Sequence, residues 1–248
     1  MTLEKIISWL DRTLKVSDFD DVSNNGLQID RFATPTQNLK TSKPQTITTV
    51  AFSVDASVRA VEAAAEAGAQ LLVVHHGISW GGGIKRLEGG VGNVVRAAMK
   101  ANLAIAAYHL PLDAHPTLGN NAQLAKLLGL KRVKPAFNYH GNVIGVIGTV
   151  GAIRSVDIGG RIISIPKGVV GVCSGGAGEF AEEAKRLDCD LYLTGEASWG
   201  DVIAAENCGM RMVCAGHYET EVFGVRALSK ALEKALKVKT VDLTECLR

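Results

Sequence analysis

The stretch LLVVHHGISW, residues 71–80, runs four apolar residues into two adjacent histidines, in a chain that has six histidines altogether. A short β-branched and leucine run closed by glycine reads as a buried strand. One histidine at its end could be a packed core residue. Two adjacent imidazole rings would each need a polar partner in the core, which argues for ligation over packing. Successive side chains of an extended strand point to opposite faces, so the pair is suited to send one ring to each of two ions.

The flanking sequence sets the fold class. Before the stretch come TITTVAFSVD and the alanine-rich ASVRAVEAAAEAGA; after it come a glycine-rich loop, VGNVVRAAMKAN and LAIAAYH. Such strand–helix alternation marks βαβ units and a mainly parallel sheet. The rhythm returns after a β-rich middle (NVIGVIGTVG, RIISIPKGVVGVCSG) with EFAEEAKRL, DLYLTGE, WGDVIAAENC, RMVCAGH and TEVFGVRALSKALEKAL. The chain therefore reads as α/β, with two halves over about residues 1–130 and 140–248 that share one site, although no residue-level repeat is visible. Ahead of the first strand, apolar spacing predicts a helix over residues 3–14, then an acidic loop, SDFDDVSNNGLQIDRF, and a Thr-, Pro- and Lys-containing surface loop.

A chain of 248 residues with 47% hydrophobic and 21% charged residues suits a globular α/β protein with an ample core. The net charge of +2 announces no polyanionic partner, so nucleic-acid binding is poorly motivated. No apolar run approaches the roughly 18–20 residues of a membrane span. The N-terminal stretch lacks the apolar core of a signal peptide. Cys173, Cys189, Cys208, Cys214 and Cys246 form no CxxC pair and read as reduced thiols in a cytoplasmic setting, Cys173 and Cys214 as small core residues.

In open α/β sheets, ligands bind beyond the carboxyl ends of the strands. Three strand ends here carry histidine: VVHH, AAYH and CAGH. The last continues as HYETE, placing His217 and Glu221 at i and i+4, on one face if a helix starts there. Imidazole and carboxylate suit divalent Zn, Fe, Mn, Co or Ni, and the lack of paired cysteines argues against a structural zinc knuckle. The candidate ligands are His75, His76, Asp113, His217 and Glu221. A carboxylate such as Glu221 could bridge two metals about 3.5–4 Å apart. Asp113, in PLD, reads equally well as a turn cap. His109 reads as an anchored or supporting histidine, and His115 and His140 as solvated loop residues. GISWGGGIKR lacks the order of a P-loop and reads as a flexible rim, where Lys85 or Arg86 could meet an anion; CSGGAGE reads as a tight turn.

The blocks SNNGLQI, VVHHGISW, YHLPLDAHPTLGNNAQLA, GVCSGGAGE and LYLTGEASWGDVIAAENCGMRMVCAGHYETEVFGVRAL, in order over about residues 20–230, resemble the GTP cyclohydrolase 1 type 2 homologue family, the Nif-three-like proteins. The resemblance implies one Nif-three-like domain of two related α/β halves enclosing a dinuclear metal site, without an inserted middle domain. It also implies ring-like homohexamers. It assigns His75, His76, Asp113, His217 and Glu221 as ligands, with Glu221 bridging, and selects Glu221 over Glu219 because it follows Thr220. Glu219 then reads as a helix-start acid. The implied function is metal-dependent hydrolysis of a nucleotide or phosphoester, with His109, Lys85 or Arg86 assisting. Non-catalytic metal binding or delivery, a regulatory scaffold and a nucleic-acid-binding ring are the alternatives.

Overall fold

The computed structural model describes residues 1–31 and 46–245; the Thr-, Pro- and Lys-containing stretch and Cys246 lie outside the described residues. In chain order the elements begin with α1 (Leu3–Leu14), β1 (Gly26–Ile29), β2 (Thr49–Asp55), α2 (Val58–Glu66), β3 (Leu71–His76), α3 (Gly89–Ala101) and β4 (Ala104–Ala107). There follow α4 (Leu110–Asp113), α5 (Asn120–Leu127), β5 (Lys131–Tyr139), β6 (Asn142–Val150), β7 (Arg154–Ile158), β8 (Arg161–Ile165) and β9 (Gly168–Gly176). The chain closes with α6 (Ala181–Arg186), β10 (Leu191–Glu196), α7 (Trp199–Cys208), β11 (Met212–Cys214), α8 (His217–Leu236) and β12 (Lys239–Asp242). Two compact units result: Met1–Pro111 with Val225–Arg248, and Leu112–Gly224.

The first unit holds a five-stranded sheet in the order β1-β4-β3-β2-β12. Strands β12, β2, β3 and β4 are parallel, and β1 closes the edge antiparallel to β4. Residues 50–54 of β2 and 71–75 of β3 are all buried. That accounts for their continuous apolar reading, since parallel strands covered on both faces have no polar side to show. Ala60, Val61 and Ala64 of α2 and Val94 and Ala98 of α3 pack with Leu72, Val74 and Ile105 of the sheet. Ser57 caps α2 by accepting the Ala60 N–H at 3.0 Å. Helix α1, at the bounds its periodicity predicts, buries Leu3, Ile6, Leu10 and Leu14 on one stripe.

The second unit holds a five-stranded sheet in the order β11-β10-β9-β6-β5, plus the separate β7–β8 hairpin. Strands β9, β10 and β11 are parallel, while β6 and β5 run antiparallel. Its core joins Leu124 and Leu128 to Val170, Val172, Leu191, Leu193 and the hairpin's Ile158 and Ile163. Edge strand β5 carries Pro135 and exposes Lys131, Arg132 and Lys134, features that discourage pairing with another chain.

Both units thus carry the same β-α-β-α-β run with spatially adjacent parallel strands: β2-α2-β3-α3-β4 and β9-α6-β10-α7-β11. The linear division into about 1–130 and 140–248 differs from the observed one at both ends. Helix α5 buries Leu124, and its C-terminal cap Leu128, in the second core. Strand β12 adds parallel to β2, with Lys239 opposite Thr49, which returns the last segment to the first sheet. The reason in each case is a pairing between segments distant in sequence, which local periodicity does not encode.

Candidate metal-binding residues

In the first unit, β3 delivers His75 and His76 to the carboxyl edge of the sheet, and His109 follows the end of β4. The three residues offer one ligand atom each within 4.8 Å of one another. The ring centroids of His75 and His76 are 4.6 Å apart, and those of His75 and His109 are 5.1 Å apart. Strict strand alternation would separate the first two rings. Instead each is anchored to a different flanking strand or its extension. His75 Nδ1 lies 2.9 Å from the Tyr108 carbonyl oxygen beyond β4, and His76 Nδ1 lies 2.9 Å from Asp55 Oδ1 on β2.

These anchors set the chemistry of the rings. A carbonyl oxygen only accepts, so His75 carries its proton on Nδ1 and presents the lone pair at Nε2, the arrangement a metal ligand needs. Asp55 orients His76 in the same sense. His109 Nδ1 meets Asp21 Oδ1 at 3.0 Å. Asp21 in turn accepts the Leu110 N–H and the Asn25 amide through Oδ2 and the Ser23 N–H through Oδ1, while Asn25 accepts the His109 N–H. Burial pushes the Asp21 carboxyl up, but the hydrogen bond and charge of His109, with Asn25 and Ser23, outweigh it and hold the carboxyl below its ordinary range.

In the second unit, α8 opens with His217 and carries Glu221 one turn on; His217 Nε2 and Glu221 Oε1 are 3.1 Å apart. His217 Nδ1 lies 3.1 Å from Glu196 Oε1 at the end of β10. The hydrogen bond to Glu221 raises the His217 pKa against the lowering effect of burial, and with Glu196 the net value is about 9. Two carboxylates on one imidazole are a set that favours a cation there, a proton or a metal ion alike. Gly175, at φ +69°, is required on both counts: a side chain would be strained there, and a Cβ would collide with the Glu221 carboxylate. Asp113, buried at the end of α4, accepts from Asn120 Nδ2 at 2.9 Å and Ser174 Oγ at 3.0 Å, both at Oδ1. These bonds set its rotamer and give Asp113 more than a turn-capping part.

The structure therefore brings together His75, His76 and His109 in one unit and His217 with Glu221 in the other, with Asp113 anchored in the second. Glu219 lies in the first turn of α8, where its charge suits the helix dipole. Lys85 is exposed, and Arg86 pairs with Glu88 at 3.5 Å with both side chains in solvent. Sequence reasoning passed over the orienting partners Asp21, Asp55, Glu196 and the Tyr108 carbonyl. Only the acid-rich loop before SNNGLQI hinted at Asp21. Burial pushes the Cys173 thiol well above its usual range, in keeping with a small inert core residue. Cys214 is only partly buried.

The donor chemistry, imidazoles with fixed tautomers and carboxylates at strand ends and a helix start, defines a candidate metal-binding α/β protein. The chain belongs to the Duf34/NIF3 (NGG1p interacting factor 3) family, whose model matches residues 1–246. It is 37% identical over 97% of both chains to the GTP cyclohydrolase 1 type 2 homolog of Pyrococcus horikoshii. It is 40% identical to the protein of the same name from Deinococcus radiodurans, over 93% of this chain and 88% of that one. Among solved structures, the protein called ybgI, described as of unknown function, matches with TM-score 0.81 at 27% identity, covering 98% of this chain and 97% of that chain. A Thermus thermophilus protein matches with TM-score 0.76 at 27% identity over 98% of both. Among the described residues no helix is long and apolar enough to cross a membrane.

Proposed function

We propose that this chain binds two divalent metal ions through His75, His76, Asp113, His217 and Glu221, with Glu221 as the bridging carboxylate, and uses them for hydrolysis of a nucleotide or phosphoester. The observation that carries the reading is the fixing of imidazole nitrogens by acceptors: His75 on a carbonyl, His76 on Asp55 and His217 on Glu196. A histidine held at Nδ1 by an acceptor is already oriented for ligation at Nε2. Nitrogen and carboxylate donors accept Zn, Fe, Mn, Co or Ni alike, so supply and geometry choose among them. Bound ions would supply Lewis-acid polarisation of the substrate and a water acidified toward neutrality. The chain's own part is to hold the donors: Asp113 by Asn120 and Ser174, Glu221 in the space left by Gly175. His109, fixed by Asp21, stands beside His75 and His76 as the group to hold or move a proton there. The name shared by the curated relatives supports nucleotide chemistry as the class to assay.

The test is metal analysis of the purified protein, followed by a nucleotide and phosphodiester panel on wild type, His76→Ala and Glu221→Ala. Metal in the wild type, its loss in both variants with the fold retained, and turnover lost with the metal support the reading. Metal without turnover across the panel leaves metal binding standing and overturns hydrolysis; fast transfer of that metal to an apo acceptor then assigns delivery.

A further inference from the structure

The loop after β3 is built more firmly than a glycine-rich rim requires. Ser79 O accepts the Asn24 N–H at 3.1 Å, Val22 O accepts the Gly81 N–H at 2.6 Å, and Ser23 and Trp80 form an antiparallel bridge. Gln28 Oε1 accepts the Ile78 N–H at 2.7 Å and the Ser79 N–H at 3.2 Å, and Asn24 Nδ2 donates to Ser79 Oγ at 2.8 Å. The loop is thus strapped to the segment 22–28, and Trp80 rides on it. The indole Nε1 donates to the Gly77 carbonyl at 3.0 Å, so its one polar group is spent on its own loop. What Trp80 offers outward is π surface: the residue is 38% exposed, and its ring lies 5.2 Å from His109, edge-on, and 6.1 Å from His76.

The second unit repeats the placement. Ser79-Trp80-Gly81 follows β3, and Ser198-Trp199-Gly200 follows β10; these are the middle strands of the two β-α-β-α-β runs. The chain has three tryptophans. The two that are exposed, Trp80 at 38% and Trp199 at 76%, both occupy this topological position. An exposed indole adds little to a core, and holding one rigidly beside three imidazoles has a use in ligand binding.

We propose that Trp80 is the stacking platform of a binding site for a flat nitrogen heterocycle, with the polar part of the ligand set toward His75, His76 and His109. This deepens the hydrolase reading and rests on it for the class of compound, a nucleotide, while the platform itself stands on the geometry of Trp80. An indole face attracts any heteroaromatic ring by offset stacking, independent of base identity. Discrimination is therefore between ligands with a ring and ligands without one, and it is tolerant among bases.

The experiment is isothermal titration of the protein, with its native metal content measured, against the four common nucleoside monophosphates and ribose 5-phosphate, which carries the same phosphate without a base. At least one nucleotide is expected to bind about tenfold or more tighter than ribose 5-phosphate. W80A should erase that difference, W80F should keep most of it, and neither should change the metal content. Equal affinity of all five probes, or a preference that survives in W80A, overturns the proposal. Should W80A misfold, W80F against W80L decides: loss of ring preference in the leucine variant alone supports stacking, and equal behaviour of the two overturns it. Failure of the metal reading shows separately, as absence of metal from the wild type with ring preference intact.

Discussion

At the scale of single residues, the candidate ligands matter less by their identity than by what holds them. Asp55, whose side chain is 54% exposed, contributes little to stability but fixes His76 at Nδ1. Asp55→Asn is expected to weaken divalent-metal affinity by about 10–100-fold with the fold unchanged, measured by competition with a calibrated chelator. His217 allows a test of its two carboxylate contacts in metal-free protein. Its folded pKa of about 9 lies above the ordinary histidine value of 6.5. The stability it contributes is therefore fully present below about pH 6.5 and is lost as pH rises through about 9. Urea unfolding of chelator-treated protein between pH 6 and pH 10 should show that decline, and His217→Asn should remove it. A wild-type profile that matches the variant's would contradict the His217–Glu221 and His217–Glu196 contacts.

At the scale of elements, the candidate donors sit at strand ends and a helix start, where chain segments converge beyond the carboxyl edge of the sheet. Periodicity and capping in the sequence located these elements well: α1 falls on Leu3–Leu14, and β3 ends at His76. Ser198 and Asp201 form a reciprocal capping box at the start of α7, so Ser198→Ala should cost about 1 kcal/mol by denaturant unfolding. Gly175 is a sharper case, since its conformation serves β9 and the space it leaves serves Glu221. Gly175→Ala should destabilise by about 1–2 kcal/mol through its positive φ and should also lower metal affinity by displacing the carboxylate. Normal metal affinity in that variant would show that Glu221 is not held there for ligation. The position of Gly175 in a GG pair after a strand reads only as a tight turn, because the residue that needs the space lies 46 positions later.

At the scale of the molecule, the proposed ligands are spread from residue 75 to residue 221, so the proposed metal binding would depend on the folded chain and not on any one segment. Saturating metal at about 100 times Kd adds about 2.7 kcal/mol to stability, or about 5–10 °C in Tm for a chain of this size. Differential scanning calorimetry with and without chelator should show that shift in wild type and not in His76→Ala. The homohexamer implied by the family resemblance is checked by light scattering, with a mass well above the 26.2 kDa chain expected and a monomer counting against it. By itself the sequence determined the α/β rhythm, the bounds of α1 and the end of β3, and the histidines at three strand ends, because periodicity and residue chemistry are local; β1 instead lies inside SDFDDVSNNGLQIDRF, read as a loop, because its four residues become a strand only by pairing with β4. Only the tertiary structure decided the return of β12 to the first sheet, the tautomer of His75 and the anchoring of His109 by Asp21 across 88 residues. Those depend on which distant backbone and side-chain groups pairing and packing bring within a hydrogen bond's reach, and no window of sequence contains both partners.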